Sequence, residues 1–132
     1  LSPFGDYKGK PTGVHGLFED APSVVSLKVK IAQLLDHHVL LSSPDEAAKV
    51  KTLGIITGGA NRDWTLAHSM GLDGYLTGEM SEHDWHESQE AGIHMYAAGH
   101  HATEIFGVQS LMALLTERFD LDCFYIDSEN PA

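Results

Sequence analysis

Two histidines and a glutamate follow a glycine at the start of one predicted helix. Gly99, His100 and His101 come directly after a short apolar run over 93–96, and Glu104 lies one turn further along. His100 and Glu104 are four residues apart, so a helix projects both side chains from the same side. An imidazole and a carboxylate at the end of a strand suit a divalent metal ion. On spacing alone, however, a solvated helix start is the better explanation, because His-x-x-x-Glu is common by chance and a helix N-terminus favours carboxylates.

Hydrophobic patterning predicts the elements that would position these side chains. Apolar runs predict strands that end at Thr57, Thr77 and Tyr96. Helical patterns separate the runs, and the helix after Gly99 is predicted to extend to Arg118. Alternating strands and helices predict crossover connections, largely parallel pairing and a layered α/β domain. Further predicted elements are helices over 23–36, 64–70 and 81–91 and buried strands over 39–41 and 123–126.

Domain boundaries follow from length and from turn residues. Residues 1–12 contain two prolines and two glycines but few apolar anchors, which predicts an extended, poorly ordered lead-in. Residues 13–132 suit a single α/β domain with a modest core.

A glycine follows each of the three successive strands, in the pairs Gly58-Gly59, Gly78-Glu79 and Gly99-His100. In an open α/β sheet, ligands bind outside the carboxyl ends of the strands. We therefore expect Glu79, His100 and Glu104 to share one cleft. Tight turns would explain the glycines equally well, and both explanations can hold. Residues 57–61 are only a weak phosphate-loop signal, because the lysine and the third glycine of the known motifs are missing.

The other histidines have simpler explanations. His37 and His38 follow Asp36 where a helix ends and a strand begins, and adjacent side chains on a strand point to opposite faces. His83 and His86 are three residues apart on a polar helix, where most such pairs are solvated. His86 lies closer to the expected cleft.

Composition excludes several classes of protein. The 132 residues carry a net charge of −11, with 8 Lys and Arg against 19 Asp and Glu, which argues against nucleic-acid binding. No apolar run is long enough to cross a membrane. The one cysteine, Cys123, rules out an internal disulfide and fits a reducing compartment such as the cytoplasm. Its apolar neighbours predict a buried structural thiol. Nine histidines are many for this length and hint at metal binding.

Several motifs together resemble one known family. They are Thr57-Gly58-Gly59, the run 71–79, His86 with 90–92, the run 96–104 and the ending 120–132. The chain from Leu53 onwards is similar to the carboxyl-terminal part of the Nif-three-like, YbgI-type dinuclear metal-centre proteins, often labelled GTP cyclohydrolase type two. Residues 13–35 resemble the preceding segment of that family more loosely.

The resemblance implies that His100 and Glu104 are metal ligands and that the Glu104 carboxylate can bridge two divalent ions. Zinc, iron, manganese or nickel would suit this ligand set. Two close cations can polarise a substrate oxygen and activate water, which implies a metal-dependent hydrolase of the cyclohydrolase type. From cleft placement, we expect Glu79 or His86 to position the substrate or transfer a proton. Glu79→Gln and His86→Ala would then reduce turnover without loss of metal.

The chain also departs from the family pattern. Family members are about twice as long, and their amino-terminal half supplies a His-His pair and an Asp to the same site. That half is missing here, and residues 36–38 do not correspond to it. We therefore expect a fragment, the carboxyl-terminal half, with weak metal binding, little catalysis and some exposed apolar surface. The resemblance further implies a hexameric ring and a small-molecule substrate of unknown identity. The alternatives are a non-catalytic metal-binding scaffold that acts through protein partners, and a plain structural domain.

Overall fold

A computed structural model describes residues 1–128 and 130 of the chain. Among these residues, one six-stranded sheet and four α-helices form an α/β fold, which confirms the predicted class. In chain order the elements are β1 (Ser2–Phe4), β2 (Gly13–Leu17), α1 (Val24–Leu35), β3 (Leu40–Ser42), β4 (Thr52–Ile55), a 3-10 turn (Asn61–Asp63), α2 (Trp64–Ser69), β5 (Gly74–Thr77), α3 (Glu82–Ala91), β6 (His94–Ala97) and α4 (His100–Phe119).

The centre of the sheet is parallel and its margins are antiparallel. The strand order is β1-β2-β4-β5-β6-β3. Strands β4, β5 and β6 pair in parallel, as the alternation of strands and helices predicted. The other three pairings, β1 with β2, β2 with β4 and β3 with β6, are antiparallel. The prediction of largely parallel pairing therefore holds only for the three central strands, which are the ones that lead into the predicted cleft.

Helices cover both faces of the sheet, and strand β6 shows why. Successive side chains of a strand point to opposite faces. Met95 packs with Trp64 of α2 in one buried cluster, whereas its neighbour Tyr96 packs with Leu27 of α1 in the other. A strand that is buried on both faces reads as a run of apolar residues, and in the buried run 93–97 only His94 departs from that pattern.

The expected lead-in is part of the sheet. Ser2–Phe4 pairs with Gly13–Leu17, and Phe4 is only 2% exposed. Its ring lies 6.0 Å from the ring of Tyr75 in β5. The prediction of poor order over 1–12 therefore fails for its first residues, because burial of one aromatic ring anchors a strand that carries few other apolar groups.

The predicted last strand over 123–126 is absent. Residues 121–128 lie outside helices and strands, Phe124 and Ile126 are exposed, and Cys123 is only partly buried. The expectation of a buried thiol at Cys123 is therefore wrong as well. The reason is the pairing of β6, which has β5 on one side and β3 on the other. Residues 123–126 therefore cannot pair with β6, and they join neither of the two outer strands, β1 and β3.

Helix α4 packs against the body of the protein only at its start. After Thr103 no residue of the helix is buried, and residues 105–116 contain no charged side chain. Helices with apolar residues on every side are normally buried. Exposed apolar surface of this kind marks a contact face for another part of a protein or another subunit. The exposed large apolar side chains of α4 are Phe106, Val108, Leu111, Leu114 and Phe119. In the part of the chain that the structure describes, no helix is long and apolar enough to cross a membrane.

A buried carboxylate fastens α3 to the turn before α2. Asp84 is 1% exposed and accepts hydrogen bonds from Asn61 Nδ2 at 2.6 Å, Trp64 Nε1 at 3.1 Å and the Ser81 amide at 3.0 Å. Burial raises its pKa, but these donors together with nearby His83 hold the pKa below its usual value. The charged form of Asp84 therefore stabilises the fold.

We expect Asp84→Asn to lower the free energy of unfolding by about 1–2 kcal/mol at neutral pH, because charged acceptors make the stronger hydrogen bonds. A pKa lowered by folding contributes stability above the unfolded value of about 3.9, and this contribution is lost as the pH falls through the folded value. The difference in free energy of unfolding between wild type and Asp84→Asn, measured by urea titration, should therefore become smaller below about pH 4. Glu87→Gln, on the exposed face of the same helix, is the control. A deficit that does not change with pH would contradict this prediction.

Candidate metal centre

Backbone hydrogen bonds join the loops that follow the three parallel strands. The amide of Gly78 donates to the carbonyl of Gly58 at 2.9 Å, and the amide of Gly99 donates to the carbonyl of Gly78 at 3.0 Å. The three glycines therefore continue the pairing of β4, β5 and β6 beyond the strands. This arrangement brings the three loops to one edge of the sheet, as the sequence predicted.

Thr103 ties the first turn of α4 to the same loops. Its hydroxyl accepts from the Gly58 amide at 3.0 Å and donates to the carbonyls of Gly99 and His100, at 2.9 and 3.0 Å. The side chain is buried. The Gly58 amide is thereby occupied, which weakens the phosphate-loop interpretation of 57–61. Sequence reasoning missed this role, although a threonine four residues after a helix-capping glycine was the available signal.

Glu79, His100 and Glu104 lie in contact at this edge. The Glu79 carboxylate lies 2.5 Å from Nδ1 of His100, and Nε2 of the same ring lies 3.5 Å from the Glu104 carboxylate. The three side chains are between 41% and 54% exposed, so they remain open to solvent and ligands. The structure thus places together the three residues that were expected to share a cleft.

The two carboxylates favour the protonated form of His100. Its pKa is raised, first by the hydrogen bond to Glu79, and further by the charges of Glu104 and Glu79; partial burial opposes the shift. The surroundings of the ring are therefore negative and attract a cation. A divalent metal ion and a proton would compete for the same imidazole.

The missing side chain of Gly58 leaves room for this cluster. A Cβ at Gly58 would collide with the Glu104 carboxylate and would lie 3.1 Å from His100 Nε2. Gly58 also has φ of +72°, which L residues rarely adopt. The glycine thus provides an open space beside one imidazole nitrogen and one carboxylate oxygen, and these donors fit a divalent ion.

A cleft of about 430 Å³ opens beside His100, and His37 and His38, for which sequence spacing favoured a simpler explanation, lie in its wall. The ring of His37 packs against Gly99. A Cβ added at Gly99 would lie 2.7 Å from Cε1 of His37. Its Nδ1 lies 2.8 Å from the carbonyl of His38. Pairing of β3 with β6 brings the preceding turn to this edge, and that pairing was not evident in the sequence. The lining residues are His37, His38, Leu40, Gly78, Glu79, Met80, Ala97, Gly99 and His100.

His86 lies outside this cleft. It lines a neighbouring depression of about 230 Å³ on α3, and its ring meets that of Trp85 edge-on at 4.9 Å. The two depressions share Leu40 and Met80. His86 can therefore reach only a ligand that extends from the cleft across these two side chains.

The described residues do not complete a metal site by themselves. Across 1–128 and 130, no group of three or more His, Cys, Asp or Glu side chains is arranged to hold a metal ion. His100 and Glu104 are two donors, whereas a catalytic zinc usually has three protein ligands.

Comparisons with known proteins identify relatives along nearly the whole chain. The family model described as Duf34/NIF3 (NGG1p interacting factor 3) matches residues 1–131. A GTP cyclohydrolase 1 type 2 homolog of Pasteurella multocida is 36% identical over 119 residues, which are 90% of this chain and 47% of that protein. The homolog of Vibrio cholerae is 38% identical over 130 residues, 96% of this chain and 52% of that protein. The chain thus spans about half the length of these relatives.

Solved structures agree with the fold. The protein ybgI, whose structure is described as of unknown function, matches with a TM-score of 0.85 at 35% identity and covers 93% of this chain and 50% of its own. TTHA1606 from Thermus thermophilus matches with a TM-score of 0.73 at 25% identity, over 100% of this chain and 50% of its own. Both structures are again about twice the length of the chain.

Proposed function

The chain belongs to the Duf34/NIF3 family, and on that basis we propose that it supplies His100 and Glu104 as ligands to a dinuclear centre of divalent metal ions in a hydrolase. The observation that carries the proposal is the placement of these two side chains together over Gly58. Zinc, iron, manganese and nickel all accept one imidazole and one carboxylate. His100 and Glu104 would hold the ions, and the two carboxylate oxygens of Glu104 would be available to more than one of them.

The contacts of His100 fit a metal ligand. Histidines that bind metals usually donate their second ring N–H to a carboxylate, which orients the ring. Nδ1 of His100 has such a partner in Glu79, while Nε2 faces Glu104. A merely solvated helix start would not require Gly58 to be open or Glu79 to hold the ring from a different loop. These contacts therefore favour the metal-ligand interpretation over the one that spacing alone favoured.

The chemistry of the site divides between the ions and the chain. Bound divalent ions would polarise a substrate oxygen and activate water. The chain contributes the orientation of His100 through Glu79, a rigid backbone at Gly58, Gly78 and Gly99, and the cleft walls. Leu40 and Met80 make one wall apolar, while His37 and His38 offer hydrogen-bonding groups beside it.

The names of the relatives suggest a first substrate. The relatives carry the name GTP cyclohydrolase 1 type 2 homolog, so we propose a nucleotide such as GTP as the first candidate substrate. The cleft of about 430 Å³ falls within the usual range of small-molecule sites.

The remaining ligands would come from outside this chain. It spans about half of its relatives, and the described residues offer fewer than three grouped donors. We propose that a further segment, corresponding to the amino-terminal half of the relatives, completes the centre. Assembly into a hexameric ring would cover the apolar face of α4. The single cysteine is consistent with the reducing cytoplasm as the site of action.

The second candidate is a non-catalytic metal-binding scaffold that acts through protein partners. Two observations favour it: the incomplete ligand set and the exposed apolar face of α4. A scaffold needs to hold the metal and a partner but needs no substrate cleft.

The proposed hydrolase activity is tested by measuring the turnover of GTP at different occupancies of Zn²⁺ or Mn²⁺. The measurement is made on this chain and on its proposed full-length form. Turnover that rises with occupancy supports it, whereas metal binding without turnover of GTP or other nucleotides favours the scaffold.

His86→Ala separates substrate contact from metal binding. We expect it to lower turnover about tenfold, the effect of losing one hydrogen bond to the substrate, and to leave the metal content unchanged. His68→Ala, an exposed histidine on α2, is the matched control. Loss of metal in His86→Ala would reject the proposed role of His86.

A further inference from the structure

We infer that Glu79 is a positioning residue for His100: its carboxylate holds the ring as the Nδ1–H tautomer and leaves Nε2 as the electron-pair donor beside Glu104. This inference rests on the proposed function, because it gives Glu79 a role in preparing the metal site. It also differs from the role expected from the sequence, in which Glu79 would act on the substrate.

The first support is the contact itself. An ionised carboxylate can only accept hydrogen bonds, so the proton between Glu79 and His100 belongs to Nδ1. A neutral imidazole carries one N–H, and Nε2 is then left with a lone pair. That nitrogen is the one that lies 3.5 Å from Glu104 and borders the space over Gly58.

The second support is the origin of the carboxylate. Glu79 belongs to the loop after β5, whereas His100 and Glu104 belong to α4. Gly78, the neighbour of Glu79, is bonded through its backbone to both Gly58 and Gly99. The loop that carries Glu79 is therefore fixed by backbone hydrogen bonds beside Gly99, the residue directly before His100.

The third support is the second glycine of the first loop. A Cβ at Gly59 would lie 3.4 Å from Cε1 of His100 and 3.6 Å from the Glu79 carboxylate. At these distances a Cβ would make only ordinary van der Waals contacts, so the observation shows that the ring and the carboxylate lie side by side over this residue. Without an acceptor on Nδ1, the proton could reside on either nitrogen, and a proton on Nε2 would block coordination.

The experiment follows the ring nitrogens of His100 by long-range proton–nitrogen NMR on labelled chain, at a pH where the imidazole is neutral. Zn²⁺ titration of the same samples is the second readout. We expect wild type to carry its proton on Nδ1, and Glu79→Ala to show a mixture of tautomers with Zn²⁺ affinity about 10- to 100-fold lower. Glu79→Gln should keep the Nδ1–H form, because its amide oxygen can accept the same hydrogen bond.

Glu82→Ala is the matched control, since it removes an exposed glutamate three residues away; we expect it to change neither readout. An unchanged tautomer in Glu79→Ala would overturn the inference, as would a mixture of tautomers in wild type. The tautomer needs no metal, so the two proposals can fail separately. If Glu79→Ala shifts the tautomer but wild type binds no Zn²⁺ even in full-length form, the inference stands and the metal-binding function fails.

Discussion

Replacing His100 or Glu104 with alanine is expected to lower the affinity for Zn²⁺ by about 100-fold or more. Loss of a residue that only hydrogen-bonds to a metal ligand already lowers metal affinity by about 10- to 100-fold. His100 and Glu104 are the proposed ligands themselves, so their loss should cost at least as much. Equilibrium dialysis with metal analysis would measure the effect, in this chain and in this chain together with the segment proposed to complete the centre.

The double variant adds a sharper criterion. If His100 and Glu104 bind the same ion, the first substitution already removes most of the binding free energy at that ion. The losses measured for the two single variants will then not add up in the double variant. His68→Ala and Glu117→Ala are matched controls, because they remove an exposed histidine on α2 and an exposed glutamate near the end of α4. Unchanged metal content in the single variants would remove the basis of the proposed centre.

Gly78→Ala is expected to lower the free energy of unfolding by about 3 kcal/mol or more, the upper end of the cost of overpacking. An added Cβ would lie 2.6 Å from both the carbonyl oxygen of Gly58 and Cα of His100, and 2.9 Å from the His100 amide nitrogen. All three atoms belong to backbone, so no rotation of a flexible side chain can relieve the contacts. The loops after β4, β5 and β6 would have to separate.

Urea denaturation measures this loss, and Gly107→Ala is its control. Gly107 lies within α4 and has nothing within 4 Å of an added Cβ, so alanine there should raise the free energy of unfolding by about 0.5–1 kcal/mol. A Gly78→Ala variant as stable as wild type would show that the three loops are less closely packed than the structure indicates.

The part of the fold that the sequence predicted is the part governed by local pattern. Apolar runs separated by helical periodicity identified β4, β5 and β6, and parallel pairing then brought Glu79 and His100 to one edge. Spacing within one helix placed His100 and Glu104 together. Each of these inferences needed only nearby residues and one general rule about α/β sheets.

The predictions that failed depended on partners distant in sequence. β3 occupies the second side of β6, so residues 123–126 cannot pair there, and no pattern in either segment indicates which of the two would pair. Phe4 anchors β1 because Tyr75 lies beneath it, far along the chain. His37 lies in the cleft because β3, which follows it, pairs antiparallel with β6. Neither the hydrophobic periodicity nor the composition of the sequence reveals that pairing.

The backbone bonds that join Gly58, Gly78 and Gly99 have a thermodynamic consequence for any ligand of this edge. Loops that fluctuate in the free protein lose conformational entropy on binding, and this loss weakens affinity. Here each loop is held by the next, so one of them cannot open without breaking an amide hydrogen bond of its neighbour. The entropy of these three loops is lost when the chain folds, and a ligand that arrives later does not have to order them.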